Sequence, residues 1–150
     1  MHKNRDIDLR VLATTGGEYV ALSQKDRWRS EQRWREVFAR GARESTGHST
    51  QERCEWHTFS LGFTRCARDH DAVEYFGRVV APEVIVTPHY PDEGAYRCRG
   101  GVLPSYLGLG VDRYLFDPEC TWTMVFTHEP DCGPYYCESR WLARPGEPVA

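Results

Sequence analysis

The stretch Thr121 to Tyr136, T-W-T-M-V-F-T-H-E-P-D-C-G-P-Y-Y, limits what this chain can fold into more than any other. Its first half is aromatic or β-branched at nearly every position, which suits a pleated, half-buried surface. Successive strand side chains point to opposite faces, so Trp122, Met124, Phe126 and His128 share one face and Thr123, Val125, Thr127 and Glu129 the other. The first set is large and apolar, so it is the expected core face, with His128 as its last inward position and Glu129 on the far side. Pro130 has no N–H and stops the ladder. Asp131-Cys132-Gly133-Pro134 is turn chemistry, and Tyr135-Tyr136-Cys137 restarts an extended run. The expectation is a hairpin with a loop of about five residues.

The flanking chain divides into a helical first half and a β-rich second half. Residues 1–22 are weakly patterned. Ile7, Leu9 and Val11 alternate with polar residues and suggest a short strand. Ser23 is a good N-cap for a helix from Gln24 to Arg40, with Asp26 completing an imperfect capping box and Gly41 as its stop. Trp34, Val37 and Phe38 form the apolar stripe of that helix, and Trp28 sits beside it. A polar loop over 42–53 contains His48. Cys54 to Leu61 alternates as a strand would, and a second helix is expected over Cys66 to Arg78. Val84-Ile85-Val86, Ala95 to Arg99, Tyr114-Leu115-Phe116 and Tyr135 to Leu142 read as strands. Leu103 to Gly110 reads as a short helical turn. The late strands follow one another by short turns, so they should pair antiparallel. The expectation is one domain over residues 1–150, with a loose tail from 143. Its class is α+β, a mostly antiparallel sheet with the N-terminal helices packed on one face.

Composition excludes several classes. Hydrophobic residues make up 40% and aromatics 13%, too many for a disordered chain. No apolar run is long enough to span a membrane. The first ten residues lack the apolar core of a secretory signal, so the expected location is the cytoplasm. Six cysteines occur, but none in a C-x-x-C pair, and reduced thiols are the expected state. The net charge of −3 names no partner, but it is unevenly spread. Residues 25–43 hold seven Lys/Arg against three Asp/Glu, and residues 112–138 hold six Asp/Glu against one Arg. The basic helix lacks interleaved aromatics on its exposed side, so nucleic-acid binding is not expected. No phosphate-cradling glycine motif occurs, and no cofactor is expected.

Three constellations carry possible chemistry. His57, Ser60, His128 and Glu129 are the residue types of an acid–base or nucleophilic site. Strand alternation opposes it, since it sets His57 against Ser60 and His128 against Glu129. Cys54, His57, His128 and Cys132 have ligand-like spacing for zinc, again opposed by alternation; buried cysteines acting as small hydrophobes are the expected reading, and no metal is expected. The third is a binding surface. Trp56, Tyr135, Tyr136 and Trp141, with Tyr106 and Tyr114, are many aromatics for one region. Asp112, Asp117, Glu119, Asp131 and Glu138 lie near them in sequence. Aromatic anchors ringed by acids suit capture of a basic protein partner.

The helix ending Trp34-x-x-Val37-Phe38, the segment Trp56-His57-x-Phe59-Ser60 and the late Trp122-Thr123 … Thr127-His128-Glu129 … Gly133-Pro134-Tyr135 together resemble the domain-of-unknown-function 4275 family of small bacterial proteins. The resemblance runs over residues 25–137, with the segment Pro88–Arg99 outside it. It implies a bacterial, soluble, stand-alone domain and supplies no activity, while pointing to His57, Ser60, His128 and Glu129 as a group. The expected function is therefore protein binding, in its most concrete form the neutralisation of a toxin by an immunity-type protein. The alternative is a hydrolase-like or metal-assisted enzyme centred on His57, His128 and Glu129.

Overall fold

The strand over Trp122–Phe126 lies inside a seven-stranded sheet, and all five of its residues are buried. The computed structural model describes residues 3–40 and 55–142. In chain order the elements are α1 (Lys3–Ala13), β1 (Glu18–Ala21), α2 (Gln24–Phe38), α3 (His57–Ser60), β2 (Ala67–Arg68), α4 (Asp69–Gly77), β3 (Glu83–Pro88), β4 (Tyr96–Arg99), β5 (Arg113–Phe116), β6 (Trp122–Phe126) and β7 (Tyr135–Glu138). A 3₁₀ turn over Ser139–Leu142 follows. Neighbouring strands run in the order β1-β4-β3-β5-β6-β7-β2, and every pairing is antiparallel. The fold is α+β, as the pattern of late strands and short turns implies.

The layering differs from expectation, because helices cover both faces of the sheet. On one face Val84, Val86, Leu115, Met124 and Phe126 pack with Val11 and Leu12 of α1 and Ala72 of α4. On the other, Ile85, Tyr114, Phe116 and Val125 pack with Trp34 and Phe38 of α2 and with Trp56 and Phe59. Strand alternation within β3 makes the division visible: Val84 and Val86 go to one cluster and Ile85 to the other. A central strand buried on both faces reads as a continuous apolar run, which is why β6 is buried throughout.

Two segments read as strands are helical. Residues 3–13 form α1, because Ile7 and Val11, and likewise Asp8 and Leu12, are four apart and share a helical face. The hydroxyls of Thr14 and Thr15 then bond the Val11 and Leu12 carbonyls at 2.7 and 2.8 Å and close the helix end. The Cys54–Leu61 segment contains the single turn α3, which points both Trp56 and Phe59 into the core. Conversely, the second helix starts at Asp69, because Ala67 and Arg68 pair with Tyr136 and Tyr135. Leu103 to Gly110 forms no helix. The α2 N-cap is as read: Ser23 Oγ accepts the Asp26 N–H at 3.1 Å. The Gly41 stop, the 42–53 loop with His48, Cys54 and the tail from 143 lie outside the described residues. Among the described residues, no helix is long and apolar enough to cross a membrane.

Candidate functional site

The β5–β6 pairing sets the site. Arg113 lies opposite Phe126, so Asp112, just before β5, comes level with the chain leaving β6. The Asp112 carboxylate receives His128 twice. The His128 backbone N–H donates to Asp112 Oδ1 at 2.8 Å, and its ring Nδ1 lies 2.9 Å from both carboxylate oxygens. The other ring nitrogen, Nε2, is 3.1 Å from Glu129 Oε1. A neutral imidazole has one N–H, so two carboxylate contacts on two nitrogens require the imidazolium. Accordingly the His128 pKa is raised: the hydrogen bond to Asp112 is the main cause, and partial burial opposes it.

This corrects two expectations. His128 does not point inward; its side chain is 41% exposed, while that of Asp112 is 4% exposed. His128 and Glu129 also do not stand on opposite sides, because β6 ends at Phe126 and both residues belong to the bend that follows. The connection to β7 runs over residues 127–134 and is longer than the five residues expected. Thr127 closes it, its hydroxyl donating to the Cys132 carbonyl.

His57 and Ser60 are also together rather than opposed. On the α3 turn they are three apart and therefore share a face, with His57 Nδ1 2.9 Å from Ser60 Oγ. The Trp56 ring joins the two histidines. It lies 4.2 Å from the His57 ring and 6.0 Å from the His128 ring, and it stacks on Tyr135 at 6.3 Å. The Trp56 backbone N–H donates to the Tyr114 hydroxyl at 3.1 Å, and its indole N–H has no acceptor among the described residues. The four residues singled out in the sequence, joined by Asp112, thus form two short hydrogen-bonded units, His57–Ser60 and Asp112–His128–Glu129, each with its histidine ring near the buried Trp56.

The proposed aromatic anchors fare differently. Trp56, Tyr135 and Tyr136 are buried in the core, and Trp141 is half-buried against it. Because the sheet is covered on both faces, Trp56, Tyr135 and Tyr136 complete its packing and present little ring surface to a protein partner, while Trp141 stays partly open. Most of the acids meant to surround them are bonded internally. Asp112 holds His128, Asp117 accepts the Thr121 and Trp122 backbone N–H groups, and Glu138 accepts the Tyr136 hydroxyl. Among the described residues no group of three or more His, Cys, Asp or Glu is placed to hold a metal, and Cys54 of the zinc set lies outside those residues. Burial raises the thiol pKa to about 11 at Cys98 and about 12 at Cys120, which leaves both protonated and unreactive at neutral pH.

Two concavities stand out, and none of His57, Ser60, His128 and Glu129 lines either. The first, of about 360 Å³, lies between α2 and the end of β3. Its walls hold Gln24, Arg27, Trp28, Gln32, Arg35 and Glu55, and His89 and Pro91 close it. Trp28 is 63% exposed at this site. Arg27 reaches across to accepting carbonyls of Tyr90, Pro91 and Glu93 while pairing with Glu31 at 3.0 Å. Arg35 pairs with Glu55 at 2.9 Å. Sequence reasoning noted Trp28 only as lying beside the helix stripe, and missed Asp112 as the partner of His128. The signal for Asp112 was the hairpin register, which brings residues sixteen apart into contact. Comparisons with family models, with curated proteins and with solved structures returned no match.

Proposed function

We propose that this chain acts by binding a protein partner rather than by catalysis, and that the partner docks on the α2 cleft. One observation carries this reading: a tryptophan 63% exposed beside the cleft, on a helix that also presents arginines. A large exposed aromatic beside a concavity, on a helix whose outer face carries the exposed Arg29 and Arg33, has the composition of an interface hot spot. The reactive side chains lie outside the cleft and are already bonded to one another. Neutralisation of a toxin, the role of an immunity-type protein, is the most concrete form of this reading. The basic partner expected from the sequence loses its support, since the aromatic anchors and most of the acids it required are engaged internally.

The test is co-expression with the proteins encoded beside this chain, with a photo-crosslinking amino acid placed at position 24 or 32. Excess unlabelled wild-type chain should abolish the adduct and excess Trp28→Ala chain should leave it, which separates docking here from docking elsewhere. The expected result is an adduct from both positions and loss of co-elution on Trp28→Ala with an unchanged melting curve. Elution of the chain alone, with no adduct from either position, ends this reading.

A second reading rests on Asp112 and His128. A buried carboxylate on Nδ1 orients an imidazole as a general acid or base, the arrangement used in hydrolytic sites. For the enzyme reading, turnover of ester or phosphoester substrates would vanish in His128→Gln and persist in Trp28→Ala.

A further inference from the structure

The second concavity is an open groove of about 480 Å³ between the end of α4, the start of β6 and the end of β7. It shares no lining residue with the α2 cleft, so it stands apart from the proposed docking surface. Its wall is a stack of rings. Tyr75 and Tyr136 lie parallel with centroids 5.4 Å apart, and Trp122 stacks on Tyr136 at 6.5 Å. Tyr75 is the partly exposed member of this stack, at 37%. Val80, almost wholly exposed, stands in the same lining.

Two guanidinium groups, Arg78 and Arg140, share the lining with these rings. Arg78 lies 5.8 Å from the centre of the Tyr75 ring, and no carboxylate among the described residues pairs with it. Arg140 uses Nε on Glu138, which leaves its two terminal nitrogens. Glu138 is the carboxylate of the lining, and both its oxygens are engaged: Oε1 by Arg140 and Oε2 by the Tyr136 hydroxyl at 3.0 Å. The lining therefore carries net positive charge beside an aromatic surface. The carbonyls at the α4 end do not offset it, because those of Tyr75 and Phe76 accept the Arg78 and Val79 N–H groups.

We infer that this groove binds a small aromatic anion, a planar ring carrying a phosphate or carboxylate. Arg78 and Arg140 hold the anion by charge-assisted hydrogen bonds, and the ring lies against Tyr75 and Val80. Neither half of such a ligand satisfies the site alone, since the cations need the anion and the aromatic wall needs the ring.

The experiment titrates the full chain with phenyl phosphate, inorganic phosphate and phenol, following tryptophan fluorescence and amide chemical shifts. Phenyl phosphate should saturate and bind at least about tenfold tighter than either fragment, with shifts centred on Tyr75 and Arg78. Arg78→Gln and Arg140→Gln should each weaken it by about tenfold. Both side chains are exposed, so both variants should keep the wild-type near-UV spectrum. Inorganic phosphate binding as tightly as phenyl phosphate would overturn the inference, as would the absence of saturation, shifts centred elsewhere, or binding unaffected by Arg78→Gln and by Arg140→Gln.

Discussion

Adjacent residues Asp112 and Arg113 belong to two clasps of the same design, and in each a cation is held between two carboxylates. Arg113 sits between Asp8 and Glu93, at 2.9 and 2.6 Å, with its side chain fully buried. His128 sits between Asp112 and Glu129, with its side chain 41% exposed. Burial works against the Arg113 charge, but the bonds to Asp8 and the fields of Asp8 and Glu93 outweigh it and raise its pKa further. Tyr106 adds its hydroxyl to Asp8 at 2.8 Å, and burial, reinforced by Asp8, pushes its own pKa upward. In this inner clasp the Arg113 cation therefore stays charged across physiological pH and ties α1, the loop before β4 and β5 together. The outer clasp uses a titratable cation near water, so the same geometry becomes conditional.

The sharpest way to break this comparison is Arg113→Met. It strands two buried carboxylates and should cost about 3–5 kcal/mol, read from the denaturation midpoint. Adding Asp8→Asn and Glu93→Gln should recover part of that loss, because the stranded charges then disappear. At the outer clasp, Asp112→Ala removes the acceptor for both the His128 backbone and its ring. The expected loss is about 1–3 kcal/mol by the same measurement. A denaturation midpoint that falls as far for Asp112→Ala as for Arg113→Met would erase the distinction between the clasps.

The pH response should belong to the outer clasp. The His128 pKa in the folded chain lies above its ordinary 6.5, so the stabilisation it brings is complete below 6.5 and is lost as pH rises through the folded value. An NMR titration of the His128 ring should show the raised value in the wild type and a fall toward 6.5 in Asp112→Asn. Glu129→Gln, at an exposed partner, should change stability by under about 1 kcal/mol. A His128 ring that titrates at or below the ordinary value would refute the clasp.

Much of the strand plan could be read in the sequence, and the reasons are local. Apolar runs bounded by turn residues mark β3, β5, β6 and β7, and Ser23 marks the start of α2 through a bond to a residue three along. The layering could not be read that way. Asp8 looks like a polar break in α1 until its partner, 105 residues on, is known. The His57–Ser60 contact was hidden by a mistaken period: C-E-W-H-T-F-S-L alternates well, yet Trp56 and Phe59 reach one core only on a helical turn. At the end of β6 the alternation was followed two residues too far, which sent His128 inward on paper. The aromatic residues of β7 were visible in the sequence, but whether they faced solvent depended on which helices lay over the sheet.

The guanidinium of Arg27 has a consequence for recognition. By tying the carbonyls of Tyr90, Pro91 and Glu93 to α2, it sets the far wall of the cleft before any partner arrives. A partner docking there as proposed would meet a preset wall, with little chain entropy left to lose on contact. Association at that surface should then be fast and resemble lock-and-key docking, with backbone shifts of about 1 Å or less.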